Sequence, residues 1–347
     1  MRQMRKKIED NTKETNFSGV IRITNLSNNS IIYENSSGYR NLPEKLPNNI
    51  NTKFCTASGT KTFTALGIAK LIEMDKIHKN DKLSQHLKLD LKDLSDEITI
   101  DHLLTHTSGI YDYFDEDLVE DFDNYHSEIP WFKLKNVKSY LPLLTGREMK
   151  FRPGTKFCYS NSGYVILAIL IQEISGMKYQ NFIKEYILTP AQMLQSGFYY
   201  LNRLPENTAV GYMETENEIR SNIYNVPVIG GGDGGMYTTL EDINKFWKKL
   251  FKGKIVSPAL VKDFITPINN AGYNNPNIFY GRGIWYNKDF NSNPMPYILG
   301  IDAGMAFKSQ YFKNNEENLS VTIISNIPEN GFWEILQITN EYFRNIK

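Results

Sequence analysis

Ser58 and Lys61 stand three residues apart in the run Phe54-Cys55-Thr56-Ala57-Ser58-Gly59-Thr60-Lys61-Thr62-Phe63-Thr64-Ala65. Apolar residues at Ala65, Leu66, Ile68, Ala69 and Ile72 predict a helix through this region, with its N-terminal boundary near Ala57–Ser58. Side chains three apart share one helix face, so a hydroxyl and an amine at this spacing can meet. Serine is a weak nucleophile until a base takes its proton. Lysine can serve if burial and the positive end of a helix lower its pKa. The same helix start offers backbone N–H groups to a developing oxyanion. Alone the pattern is unspecific, because Ser-x-x-Lys is frequent in helices as a capping serine and a surface lysine.

Three further runs give it context: Ile98-Thr99-Ile100-Asp101-His102-Leu103-Leu104-Thr105-His106-Thr107-Ser108-Gly109-Ile110, Phe151-Arg152-Pro153-Gly154-Thr155-Lys156-Phe157-Cys158-Tyr159-Ser160-Asn161-Ser162-Gly163-Tyr164, and Gly234-Gly235-Met236-Tyr237-Thr238-Thr239-Leu240-Glu241-Asp242. With the serine segment, and in this order, they resemble class C β-lactamases and the related penicillin-binding proteins, DD-peptidases and esterases. The resemblance spans about Gly19 to the C-terminus. It implies that Ser58 is the nucleophile of an acyl-enzyme and that Lys61 and Tyr159 share proton transfer. A phenol needs adjacent positive charge to act as a base, and Lys61 could supply it. Asn161 would bind the substrate amide or hold Lys61.

The family's third element is Lys-Thr-Gly or His-x-Gly on a strand lining the cleft. The stretch read as its counterpart is Gly300-Ile301-Asp302-Ala303-Gly304-Met305-Ala306-Phe307. On that reading Ile301 replaces the cation that binds a substrate carboxylate, Asp302 repels such a carboxylate, and an N–H near Gly304 completes the oxyanion hole with that of Ser58. β-Lactam hydrolysis is then disfavoured, and an ester, amide or amine-bearing substrate favoured. The expected activities are an esterase or D-amino-acid peptidase, with a β-lactamase or DD-carboxypeptidase as the alternative. From another class comes an acylating sensor with little turnover. No metal or organic cofactor is expected.

Other residues have plainer readings. His102 and His106 have the spacing of a zinc pair but lack the glutamate of His-Glu-x-x-His, so packing is expected of both. The glycines from Gly230 to Gly235 lack the Gly-Lys-Ser/Thr of a phosphate loop and are expected to shape the chain, with Asp233 at the cleft rim. Cys55 and Cys158 are expected to be reduced thiols. Tyr111, Tyr113, Trp131 and Phe132 are candidates for the cleft wall or for packing.

These residues need elements to hold them. A hairpin is predicted from Gly19–Ile23 and Ile31–Tyr33, and strands at Tyr280–Tyr286, Tyr297–Ile301, Ser309–Phe312 and Leu319–Ser325, with a turn at Asn314–Asn315. Helices are predicted at Ile100–Leu104, Gly163–Ser175, Tyr179–Ile187, Leu240–Phe251 and Phe332–Phe343, Thr238 and Glu241 boxing the start of the fourth. Strands at both ends of the chain imply one discontinuous sheet. The expected fold is α/β (α+β), β-lactamase/transpeptidase-like: a mainly antiparallel sheet flanked by helices, with an inserted helical lobe. The 347 residues would form a single domain, the sheet part about 15–75 and 229–347 and the lobe about 76–228. A cleft between the two parts is the expected ligand site.

Composition bounds the partners. The chain is 41% hydrophobic and 22% charged with zero formal net charge, which supplies a core and no electrostatic footprint for nucleic acid. No apolar run reaches transmembrane length, and Met1–Lys7 is followed by polar residues, so a cytoplasmic location is expected. The partner is expected to be a small-molecule or peptide substrate; the oligomeric state is left open.

Overall fold

The computed structural model describes residues 1–87, 93–119, 121, 125–215, 218–272, 275–288, 295–313 and 317–344. The hairpin strands β1 (Gly19–Asn25) and β2 (Ser30–Ser37) join six strands from the far end of the chain. These are β3 (Asn269–Asn270), β4 (Ile278–Tyr280), β5 (Trp285–Asn287), β6 (Met295–Asp302), β7 (Met305–Lys313) and β8 (Asn318–Ser325). Together they form one antiparallel sheet in the order β2-β1-β8-β7-β6-β5-β4-β3. The closure of the discontinuous sheet is the β1–β8 pair, in register from Gly19↔Ser325 to Asn25↔Leu319. The single strand expected over Tyr280–Tyr286 is instead the β4–β5 hairpin. Gly283, at φ +82°, turns the chain there, and a Cβ on it would fall 2.4 Å from that of Ala65. The expected turn at Asn314–Asn315 lies outside the described residues.

All seven residues of β1 are buried because both faces of the sheet are covered. Ile21 and Ile23 pack with Met4, Ile8, Phe332 and Ile335 on one side. Val20 belongs to the larger core on the other. The first side holds α1 (Arg2–Glu14) and the C-terminal helix Phe332–Arg344. No helix was expected at the N-terminus, where polar residues mask a narrow stripe: Met4, Ile8 and Thr12, four residues apart, are its buried positions.

The second side holds α2 (Thr60–Glu73), α3 (Asn161–Ser175) and α4 (Leu240–Phe251). α2 and α3 are buried almost all round rather than on one face, since each lies between other elements. Buried threonines on α2 are satisfied by loop carbonyls: Thr62 Oγ1 donates to Gly283 O (2.6 Å) and Thr64 Oγ1 to Gly232 O (2.5 Å). α4 is capped by Thr239, which accepts from the Asp242 N–H, and not by Thr238, whose backbone pairs with Phe54 in a short ladder. The helix expected over Tyr179–Ile187 widens to a π-turn at Lys184–Leu188. No helix among the described residues is long and apolar enough to cross a membrane.

Candidate active site

The chain enters α2 through a 3₁₀ turn at Ala57–Gly59. Ala57 sits at φ +45°, in the left-handed region, so the backbone bends sharply just before Ser58. That bend leaves Ser58 half-exposed while Lys61, one turn on, is 2% exposed. Lys61 Nζ has three acceptors: Asn161 Oδ1 at 2.6 Å, the Asp233 carbonyl at 2.8 Å and Ser58 Oγ at 3.0 Å. An ammonium satisfies all three. A neutral amine would donate to the first two and leave its lone pair facing the serine hydroxyl, the geometry a general base requires. Burial lowers the Lys61 pKa from its ordinary 10.5, and the carboxylates of Asp233, Glu116, Asp112 and Asp302 oppose that shift.

Asn161 is fixed from behind. Its Nδ2 donates to Phe114 O (2.8 Å) and Glu116 Oε1 (3.3 Å), which turns Oδ1 toward Lys61. Its own N–H and that of Ser162 donate to the two oxygens of Asp112, at 2.8 and 2.9 Å. A buried carboxylate therefore caps the start of α3 beside Ser160, whose Oγ accepts from the Gly163 N–H. Burial nevertheless pushes the Asp112 carboxyl up to about 7.

Tyr159 hydrogen-bonds Ser58, and Lys61 Nζ lies 4.9 Å from its ring centroid. The expectation that Lys61 would ease phenolate formation meets a stronger opposing field. Burial first, then the charge of Glu116, holds the Tyr159 hydroxyl well above its ordinary pKa, so it stays a neutral phenol. His106 stacks among Tyr159, Tyr164 and Tyr280 and accepts from the Ser160 N–H at Nδ1. His102 Nδ1 accepts from the Thr99 N–H in a capping box. The two rings thus serve separate structural positions. Cys55 and Cys158 are free thiols.

The third element needs a shift of register. Gly304, at φ +67°, belongs to the tight turn between β6 and β7, and a Cβ on it would meet Tyr212 N at 2.6 Å. The residue pressed against the Ser58 turn is Gly300: a Cβ there would lie 2.0 Å from Thr56 O, 2.6 Å from Gly59 N and 2.8 Å from Ser58 N. Backbone-to-backbone approach at that point explains why glycine is required. With Gly300 as the motif glycine, its two preceding residues are Ile298 and Leu299, and on that register Ile298, not Ile301, would stand at the cation's place. Ile298 reaches the helix start, its Cγ2 lying 3.0 Å from where a Cβ on Gly59 would be. Strand alternation sets Asp302 on the same face as Gly300. Burial pushes the Asp302 carboxyl up to about 7.

A cleft opens over Ser58, lined among others by Glu116, Asn161, Asp233, Ile301 and Asp302. Of the candidate aromatics, Tyr113 and Trp131 line it; Tyr111 does not, and Phe132 is 61% exposed. Sequence reasoning placed no role on Glu116 or Asp112. Neither carries a local signal, because both act across the fold on a residue some 45–50 positions away.

An antiparallel sheet backing a buried helix that starts at a Ser-x-x-Lys turn defines the β-lactamase/transpeptidase-like fold. The family model described as Beta-lactamase matches residues 4–336, and the chain belongs to that family. Penicillin-binding protein 4* of Bacillus subtilis (strain 168) is 33% identical over 267 residues, covering 73% of this chain and 56% of that protein. The chain thus spans little more than half of that relative. The crystal structure of a penicillin-binding protein from Bacillus halodurans matches with a TM-score of 0.88 and 30% identity over 97% of this chain and 100% of that one. The D-amino acid amidase from Ochrobactrum anthropi SV3 shares the fold at a TM-score of 0.79 and 21% identity, covering 99% of this chain and 97% of the other.

Proposed function

We propose that this protein is a serine hydrolase that cleaves an ester or amide through an acyl-enzyme on Ser58. The observation that carries the reading is the set of three acceptors around Lys61 Nζ, one of which is the Ser58 hydroxyl. Ser58 Oγ attacks the carbonyl carbon as its proton passes to neutral Lys61. The C–O or C–N bond then breaks, and the neutral Tyr159 phenol hands its proton to the leaving group while Lys61 reprotonates it. The Ser58 N–H, with the backbone of β6 at Gly300, faces the developing oxyanion. Water reverses the sequence and releases the acid.

Ile298 at the position of the relatives' cation, with Asp302 on the cleft wall, supports esters and amides over carboxylate-bearing β-lactams and peptide termini. The test is turnover of p-nitrophenyl esters with intact-mass detection of the adduct, in wild type and Ser58→Ala. Wild type is expected to turn over and carry an acyl-sized mass gain, and the variant to do neither. A folded wild type that forms no adduct and hydrolyses nothing would overturn the reading.

The lowered Lys61 pKa gives a pH signature. The base must be deprotonated in free enzyme, so kcat/KM is expected to rise with pH through an ionisation below 10.5. Lys61→Ala should abolish that limb, whereas Asp302→Asn should move it downward by removing a carboxylate that favours the ammonium form.

A further inference from the structure

Exposed apolar side chains gather on one lip of the cleft. Tyr224 is 81% exposed, Phe132 61%, and Ile223 and Ile301 41% each. Ile301 itself lines the cleft, and the others adjoin residues that do: Trp131 precedes Phe132, and Asn222 and Asn225 bracket Ile223 and Tyr224. Hydrogen bonds tie these three segments into one edge. Asn222 Nδ2 donates to Ala303 O at 2.8 Å, just beyond Ile301. The Val228 N–H donates to Trp131 O at 3.3 Å, which brings the stretch 222–227 beside Phe132. A lone exposed apolar side chain is ordinary, but several on one edge mark a surface that meets a ligand or partner.

The lip is continuous with apolar surface inside the cleft. Cys55, three residues before Ser58, is buried with Tyr237 and Met305, and Tyr199 and Leu201 pack on that cluster. All five line the cleft. The Leu201 N–H donates to Val228 O at 2.9 Å, so the cluster joins the lip where Val228 meets Trp131. An apolar path therefore runs from beside Ser58 to the outer edge. It also leads away from the leaving group. Tyr159, the proton donor on that side, stacks on Trp285, which pairs with Tyr297 of β6. The lip begins at Ile301, about 13 Å further along that strand.

Resting on the serine-hydrolase reading, we propose that the acyl group this protein transfers is an extended uncharged hydrocarbon chain. Its first carbons lie on the path from Cys55 to Leu201, and its far end crosses the lip at Ile301, Tyr224 and Phe132. The substrate class is a medium- or long-chain fatty acyl ester or amide. Ser58 Oγ takes the acyl group as its proton goes to Lys61, the alcohol or amine leaves with a proton from Tyr159, and water then releases the fatty acid. Removing the chain from water supplies the selectivity. A charged group along the chain would be desolvated against rings and aliphatic carbons.

The test compares p-nitrophenyl acetate with p-nitrophenyl octanoate, both below the concentration at which the longer ester forms micelles. In wild type the octanoate is expected to exceed the acetate in kcat/KM by about fiftyfold. That is about twofold per added methylene for a half-buried chain, where full burial would give about fourfold. In Phe132→Ser/Tyr224→Ser this ratio should fall at least about fivefold, and each single variant keeps the test available should the pair fail to fold. Ile31→Ser is the control: Ile31 is equally exposed but lies on β2, at the far edge of the sheet, and its loss should leave the ratio unchanged. Ser58-dependent hydrolysis with no preference for the octanoate would overturn the chain proposal and leave the serine-hydrolase reading standing. An unchanged ratio in the lip variants, with a shift from dimer to monomer in light scattering, would assign the lip to a second copy and overturn it too. Absence of turnover and of any Ser58 adduct with both esters would overturn both readings.

Discussion

Lys61→Ala is expected to slow acylation of Ser58 by about 10³-fold or more, on the scale of losing one member of an interdependent nucleophile–base pair. The size follows from the position of the amine. Lys61 is buried, its Nζ is 3.0 Å from Ser58 Oγ, and burial, by raising the pKa of the Tyr159 hydroxyl, disfavours Tyr159 as a substitute base. The lysine also bridges Asn161 and the Asp233 carbonyl. Alanine leaves both acceptors buried without a donor, a cost of about 1–3 kcal/mol each in stability. Stopped-flow acylation with an activated ester reads the first effect and thermal denaturation the second. A fall in stability with acylation nearly unchanged would mean that Lys61 is only a structural cross-link and the proton goes elsewhere.

Gly300→Ala is expected to lower kcat by about 10²–10³-fold, although it adds a single methyl and no charge. The new Cβ would overlap Thr56 O at 2.0 Å and crowd the amides of Ser58 and Gly59, all of them backbone atoms. Relief requires β6 to move away from the helix start, which withdraws its backbone from the oxyanion position. The overpacking should also cost about 1–3 kcal/mol of stability. Gly304→Ala is the companion: it strains the turn at φ +67° and presses on Tyr212 without touching the Ser58 amide. Its loss is expected mainly in Tm. If the two variants lose kcat equally, Gly300 has no special relation to the oxyanion.

The contrast between these glycines marks what could and could not be read from the chain. The turn at Ser58, the Tyr159–Asn161 segment and the strands that close β1 on β8 were legible because each is a contiguous run with its own periodicity or motif. The placement of Gly300 was not. A strand tolerates any register in one dimension, and only the contact with Thr56 O and Ser58 N singles out one glycine of the pair. The N-terminal helix escaped for a different reason. Its stripe of Met4, Ile8 and Thr12 has only two apolar members and gains meaning once Phe332 and Ile335 pack opposite it. Asp112 and Glu116 show a third kind of gap: short acidic side chains in a loop carry no period, and their work is done on Asn161 in another element.

The β1–β8 pairing has a consequence for how activity arises in time. Ser58 leaves the ribosome some 240 residues before the strand that presses on its amide, and β8 must follow before β1 has its inner neighbour. Such long-range pairing makes folding slow and leaves the early hairpin with one edge unsatisfied during synthesis. A nascent chain halted before β6 holds the serine and its lysine but no backbone to meet an oxyanion. On the proposed mechanism, products truncated before β6 are expected to be silent toward ester substrates rather than partly active.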